Sequence, residues 1–248
     1  MDLSLDGRVV AITGASSGIG EATAELCVAA GAKVALGARR AERIEALAQR
    51  LGDAAVAIQT DVADEASARA FVRDGHDRFG RLDALVNNAG VMLLGPIMGA
   101  DVAEWRRMIE VNCLGLLYCT HEALPLMQQG GGGHIVNVSS VAGRQATLGS
   151  GVYNMTKWGV NGFSEALRQE ALHLGVRVTI VEPGMVETEL LDHNEHKPVV
   201  MQAAERMKEQ VGTPLSSDDI ARAILYALAQ PEHVAVNELL VRPSRQQR

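Results

Sequence analysis

The stretch Thr13-Gly14-Ala15-Ser16-Ser17-Gly18-Ile19-Gly20 decides how the chain is read. It follows a short β-rich run at 8–13 and precedes a segment of helical spacing at 18–30, closed by Gly31. Glycines at a strand-to-helix junction permit a tight turn and let the backbone approach a ligand closely. The helix that starts there offers unpaired N–H donors and a positive dipole end to an anion. In that order, strand, turn and helix predict a pyrophosphate site formed by Gly14, Ser16, Ser17, Gly18, Ile19 and Gly20.

Outward from this turn the pattern repeats. Strands are expected at 33–36, 55–59, 82–87, 135–138, 176–181 and 239–241. Helices are expected at 40–51, 64–79, 102–129, 152–174 and 217–229, the last capped by Ser216. The long helix at 102–129 should bend near Gly115 or Pro125. The glycine run at 130–133 reads as a loop, without a phosphate site. No linker or repeat interrupts the series. Alternating strands and helices predict a single α/β, doubly wound (Rossmann) domain over 1–248, with a seven-stranded parallel sheet and helices on both faces.

Composition narrows the function classes. Apolar residues make up 47% but aromatics only 3%, so the core must be built from aliphatic side chains. A net charge of −7 disfavours a nucleic-acid binder, which needs a basic face. Three cysteines, Cys27, Cys113 and Cys119, form no disulfide framework and read as reduced thiols of a cytoplasmic protein. Residues 1–7 lack the apolar run of a signal peptide, and no stretch is suited to span a membrane.

The end of the second strand addresses the cofactor's ribose. An enzyme that prefers NAD places an acid about 20 residues beyond the glycine turn, where it holds the 2′-OH. Here the chain reads Gly37-Ala38-Arg39-Arg40, with no acid before Glu42. Two guanidiniums at that point suit a 2′-phosphate, hence NADP(H). Basic residues at a helix start oppose its dipole, so a merely solvated pair is the weaker alternative. Asp61, followed by Val62, either accepts from an adenine amine or caps the next helix.

A chemical cluster follows the fifth strand. Tyr153 and Lys157 stand at i and i+4, on one face of a helix that starts at the ligand-binding edge of the sheet. A free phenol has a pKa near 10. Lowering it to about 7 takes roughly 4 kcal/mol, which a close ammonium and the positive nicotinamide ring of an oxidised cofactor can supply in a dry site. Ser140, at the end of the fifth strand, can donate to a substrate oxygen, although Ser139 and Ser140 also read as an ordinary loop pair. Asn112 lies in an apolar helical run, which disfavours a buried amide without partners. It reads either as the holder of a water that links Lys157 to solvent or as a satisfied core amide.

Taken together, Thr13-Gly14-x-x-x-Gly18-x-Gly20, Asn87-Asn88-Ala89-Gly90, Asn112, Ser140, Tyr153-x-x-x-Lys157 and Pro183-Gly184 resemble the short-chain dehydrogenase/reductase family over nearly the whole chain. The resemblance implies a catalytic set of Asn112, Ser140, Tyr153 and Lys157, and the spacing to Tyr153 selects Ser140 over Ser139. It implies that Asn88, Ala89 and Gly90 lie beside the adenosine ribose, and that Ile19 and Val111 line the cleft. Tyr153 and Lys157 would flank the nicotinamide ribose, while Pro183, Gly184, Val186 and Thr188 would meet the carboxamide. It also implies a homotetramer, or a homodimer, formed through the helices that hold Asn112 and Tyr153. Asn154 and Trp158 depart from the family's usual residues and bear on pocket shape.

The substrate is less legible. Met92, Leu93, Leu94, Leu148, Met185, Leu190 and Leu191 suggest a partly greasy pocket. Arg144 either meets a carboxylate or serves as a structural donor. The segment 185–201, with His193 and His196, reads as a mobile solvated lid, and no metal is expected. The stretches 87–96 and 241–243 are similar to members of the family that act on clavulanic acid and on 3-hydroxy acids, a hint of a small polar aldehyde or ketone. The expected reaction interconverts a carbonyl and an alcohol with NADP(H). The alternatives are the same reaction with NAD(H) and a non-catalytic nucleotide-binding sensor or scaffold.

Overall fold

The computed structural model describes residues 3–247; Met1, Asp2 and Arg248, the ends of the expected domain, lie outside the described residues. Strand β1 (Val9–Thr13) enters α1 (Gly18–Ala29) through the glycine turn. Then follow β2 (Lys33–Ala38), α2 (Ala41–Leu51), β3 (Ala55–Gln59), α3 (Glu65–Phe79) and β4 (Ala84–Asn87). The second half runs α4 (Val102–Ile109), α5 (Gly115–Gln129), β5 (Gly133–Val138), α6 (Gly151–Ala171) and β6 (Val176–Pro183). It closes with α7 (Pro198–Val211), α8 (Ser217–Leu228) and β7 (Glu238–Val241).

The seven strands form one parallel sheet in the order β3-β2-β1-β4-β5-β6-β7. The chain winds one way from β1 to β3 and then restarts on the other side of β1 at β4. That reversal opens a crevice at the carboxyl ends of β1 and β4, where ligands bind in such sheets.

Strand alternation distributes side chains to two cores. Val10, Ile12 and Val136 point toward α1, α2 and α8, packing with Cys27, Ile44, Leu47 and Ile224. Ala11, Leu85 and Ile135 point to the other face, against Phe71 of α3, Met127 of α5 and Leu167 of α6. Burial pushes the thiols of Cys27 and Cys119 up to about 12, so both behave as small apolar side chains.

Two local differences from the sequence reading have physical causes. The expected helix at 102–129 is two helices joined by a π turn, Glu110–Leu114. Gly115 follows it because a Cβ there would lie 2.8 Å from the Cβ of Val62, so glycine permits close approach here. Ser216 caps α8 as expected, in a reciprocal pair with Asp219. Asp61 does not cap α3. Its carboxylate accepts from the Ala63 amide at 3.0 Å, and Asp64 accepts from Ser67 as the cap.

Candidate active site

The site is built first by the glycine turn. Gly14 and Gly18 adopt positive φ of 68° and 58°, which suits glycine. Gly20 lies beneath the turn, where a side chain would strike the Gly14 carbonyl. The Asn88 amide donates to the carbonyls of Thr13 and Gly14 at 2.9 and 3.2 Å. Thr13 Oγ1 in turn accepts from the amides of Asn88 and Ala89. The 87–90 segment is thus tied to the turn by its own donors. Ser17, which precedes α1, makes no side-chain cap, so the first-turn N–H groups have no acceptor from that side chain.

A cleft of about 880 Å³ runs across the carboxyl edge of the sheet. Gly14, Ser16, Ser17, Gly18, Ile19, Arg39, Arg40, Asp61, Val62, Asn88, Ala89, Gly90 and Val111 line it at one end. Ser140, Tyr153, Lys157, Pro183, Gly184, Val186 and Thr188 line it further along. Two expected residues do not line it, Gly20 and Asn112. The donor set at the first end (a helix N-terminus without a side-chain cap from Ser17, two serine hydroxyls and two guanidiniums) fits a dinucleotide with an extra phosphate.

At the chemical end, Tyr153 is 6% exposed and hydrogen-bonded with Ser140. Burial pushes its phenol up to about 12, while the bond with Ser140 pulls the other way. Lys157 is equally buried and donates from Nζ to the Val138 carbonyl at 2.9 Å. Burial pushes its ammonium down to about 8. In the protein by itself the phenol is thus raised; the expected lowering counted also the positive ring of an oxidised nicotinamide, which the chain alone does not supply. Desolvation outweighs the lysine, whose Nζ is 5.8 Å from the ring centroid and is engaged by a carbonyl. Ser139 donates to the Lys157 carbonyl at 3.3 Å, behind the reacting groups, and Ser140 is the serine bonded to the phenol.

Asn112 sits behind this pair. Its Oδ1 accepts from the Val91 amide at 2.8 Å, and its Nδ2 donates to the Val91 carbonyl and to Thr156 Oγ1. Both amide hydrogens are used, and only one lone pair remains for a water. The side chain is a clamp between the 91 segment and the helix that carries Lys157. Asn154, the unusual neighbour of the tyrosine, is also buried. It donates to the carbonyls of Ala142 and Gln145 and accepts from the Thr147 amide, fixing the loop before α6. Trp158 faces outward, 53% exposed, so it does not shape the pocket.

Arg144 is excluded as a substrate anchor. It pairs with the fully buried Glu182 at 2.6 Å and with Glu238, and it does not line the cleft. The segment expected to be a mobile solvated lid holds a 3-10 turn, Glu189–Asn194, followed by α7. Asn194 is fully buried, accepting from the Leu94 amide and donating to the Met92 and Leu191 carbonyls. Lys197 donates to the Leu94 carbonyl and to Glu104. His193 lines the cleft, whereas His196 faces Glu104 at 3.7 Å. Among the described residues no group of three side chains is arranged to hold a metal.

Sequence reading missed α7, whose Val199, Val200, Ala203, Ala204 and Met207 line the substrate half. The signal was present: Pro198 suits a first helical position, and these residues recur at helical spacing. The carboxy-terminal Gln246 was also missed as a lining residue, and Glu189, within the 185–201 segment, was not singled out.

Comparison with known proteins agrees with this geometry. The family model described as short chain dehydrogenase matches residues 8–198. An uncharacterized oxidoreductase of Staphylococcus saprophyticus is 44% identical over 242 residues, covering 96% of this chain and 97% of its own. The closed form of a serine dehydrogenase complexed with NADP+ superposes with a TM-score of 0.89 at 34% identity, over 97% of both chains. A 3-ketoacyl-(acyl-carrier-protein) reductase from Brucella melitensis, complexed with NADH, gives 0.87 at 31% identity, over 98% of this chain and 99% of its own.

Proposed function

Since the chain belongs to the short-chain dehydrogenase family, we propose that it is an NADP(H)-dependent oxidoreductase that interconverts an aldehyde or ketone with its alcohol. The observation that carries this reading is Tyr153, buried and bonded to Ser140, in a cleft whose other end holds Arg39 and Arg40. Gly14, Ser16, Ser17, Gly18, Ile19, Asp61, Val62, Asn88, Ala89, Gly90, Val111, Pro183, Gly184, Val186 and Thr188 would hold the cofactor; Gly20 supports the turn. A bound nicotinamide dinucleotide supplies or takes the hydride.

The chain's own residues handle the proton. At neutral pH the raised pKa keeps the phenol protonated, so in reduction Tyr153 donates to the oxygen that becomes the alcohol. The Ser140 hydroxyl donates to the same oxygen and orients it against the phenol. The Lys157 ammonium stabilises the phenolate left behind. In the reverse direction that phenolate takes the alcohol proton. Asn112 acts as a positioning residue, through Val91 and Thr156.

The substrate half favours a neutral, mostly apolar carbonyl compound. Among its lining residues are Met92, Leu94, Leu190, Leu191, Val199 and Met207, and among the described residues the lysine and arginines of the cleft are Arg39, Arg40 and Lys157. This departs from the small polar substrate hinted at by the sequence. The exposed Met155 and Trp158 on α6 support a subunit contact there, in keeping with a homotetramer. No helix among the described residues is long and apolar enough to cross a membrane, and we read the protein as cytoplasmic.

The same chemistry with NAD(H) is the second reading, favoured by Glu189, which already engages Arg40, and by the NADH in the Brucella melitensis reductase. The deciding experiment screens aldehydes, ketones and hydroxy acids by NADPH absorbance, and then tests Tyr153→Phe. The variant should lose roughly 100-fold or more in turnover while keeping its melting transition. Unchanged turnover would remove Tyr153 from the chemistry.

A further inference from the structure

The Arg40 side chain is shared between two parts of the molecule. Its Nε and Nη2 donate to Ser16 Oγ at 3.0 and 2.8 Å, and Nη2 also reaches Ser17 Oγ at 2.7 Å. Its Nη1 donates to Glu189 Oε2 at 2.6 Å. The other carboxylate oxygen of Glu189 accepts from Arg43 Nη1 at 2.7 Å. Glu189 is further hydrogen-bonded with Ser17, and these contacts hold its carboxyl down to about 2. Two guanidiniums and a serine hydroxyl around one anion make a phosphate-type site. Here the anion is supplied by the chain itself. Ser16, Ser17, Arg40 and Glu189 all line the cleft.

Glu189 also opens the 3-10 turn that ends at Asn194. That turn is therefore tied at one end to the glycine turn and α2, and at the other to the 92–94 segment of the substrate half.

We propose that Glu189, held by Arg40 and Arg43, is a built-in competitor of the cofactor's ribose 2′-phosphate for Arg40, and that it sets how strictly NADP is preferred over NAD. This rests on the NADP(H) reading of the same site. A phosphate brings up to about two negative charges to guanidiniums already partly neutralised by a carboxylate. Like charges cannot share the Nη1 edge of Arg40 without repulsion, so the phosphate takes that edge and Glu189 swings off. Part of the phosphate's attraction is consumed in the exchange. NAD, with a 2′-OH, leaves the Glu189 contacts in place.

Isothermal titration of the full-length protein with NADP+ and with NAD+ tests this on the wild type, Glu189→Gln, Arg40→Gln and the double variant. Glutamine keeps the shape and removes the charge at a half-exposed position, so the fold is retained. Glu189→Gln should tighten NADP+ binding about fivefold, the scale of one exposed ion pair, and shift NAD+ by less than twofold. In the Arg40→Gln background the tightening should shrink. If NADP+ preference exists and depends on Arg40, but Glu189→Gln leaves NADP+ binding unchanged or weaker, the competitor role is overturned alone. If the wild type binds NADP+ no better than NAD+ and Arg40→Gln alters neither, the cofactor reading falls together with it.

Discussion

Replacing Lys157 with methionine should make the protein inactive and, at neutral pH, more stable. The lysine is buried, and burial moves its pKa from 10.5 to about 8. A displacement of that size corresponds to roughly 3 kcal/mol of unfavourable free energy for carrying the charge in the folded state. Its sign follows from proton counts. Below about 8 the folded and unfolded lysines are both charged, and the whole cost is present. Between about 8 and 10.5 the folded lysine is neutral while the unfolded one still binds a proton, so wild-type stability rises with pH. Methionine fills a similar volume with an unbranched apolar chain. Against the gain stands the lost bond from Nζ to the Val138 carbonyl, worth about 1 kcal/mol. The net expectation is about 2 kcal/mol of stabilisation at pH 7, vanishing or inverting by pH 10. Urea unfolding followed by circular dichroism, at one protein concentration and at both pH values, measures it. A variant less stable than wild type at pH 7, or a difference that does not change with pH, would refute the burial argument. Such a result would mean that the ammonium gains more from its surroundings than it loses by desolvation.

Two further outcomes follow from the site. The rate of carbonyl reduction, as kcat/KM, should be flat from pH 6 to about 8 and fall above it, because Lys157 loses its charge there while Tyr153 keeps its proton to about 12; a rate that climbs through pH 8 contradicts these assignments. Asn194→Ala should strand the part-buried Leu94 amide and Met92 carbonyl, cost about 1 kcal/mol, and raise KM for the carbonyl substrate more than for NADPH; equal effects on both would mean that Asn194 does not act on the substrate half alone.

Much of the fold was legible because parallel strands and flanking helices leave strong local marks. Thr13 to Gly20, the apolar runs and the caps at Gly31 and Ser216 each act over a few residues. The π turn at Glu110–Leu114 was not legible as such. Beside it Gly115 lies close to Val62, a contact between residues far apart in the chain. Helix α7 was readable but was submerged in a segment rich in charges and histidines.

The sequence by itself determined the fold class and singled out Tyr153 and Lys157 as the candidate reacting pair, because strand and helix periods and the Tyr153–Lys157 spacing are local properties of the chain. The tertiary structure decided what those side chains experience. Burial raised the phenol and lowered the lysine, and long-range contacts turned Asn112 into a clamp and Arg144 into a partner of Glu182. It also placed Glu189 on Arg40, across 149 positions of sequence. Desolvation and charge pairing depend on which distant segments meet, and no local pattern encodes that meeting.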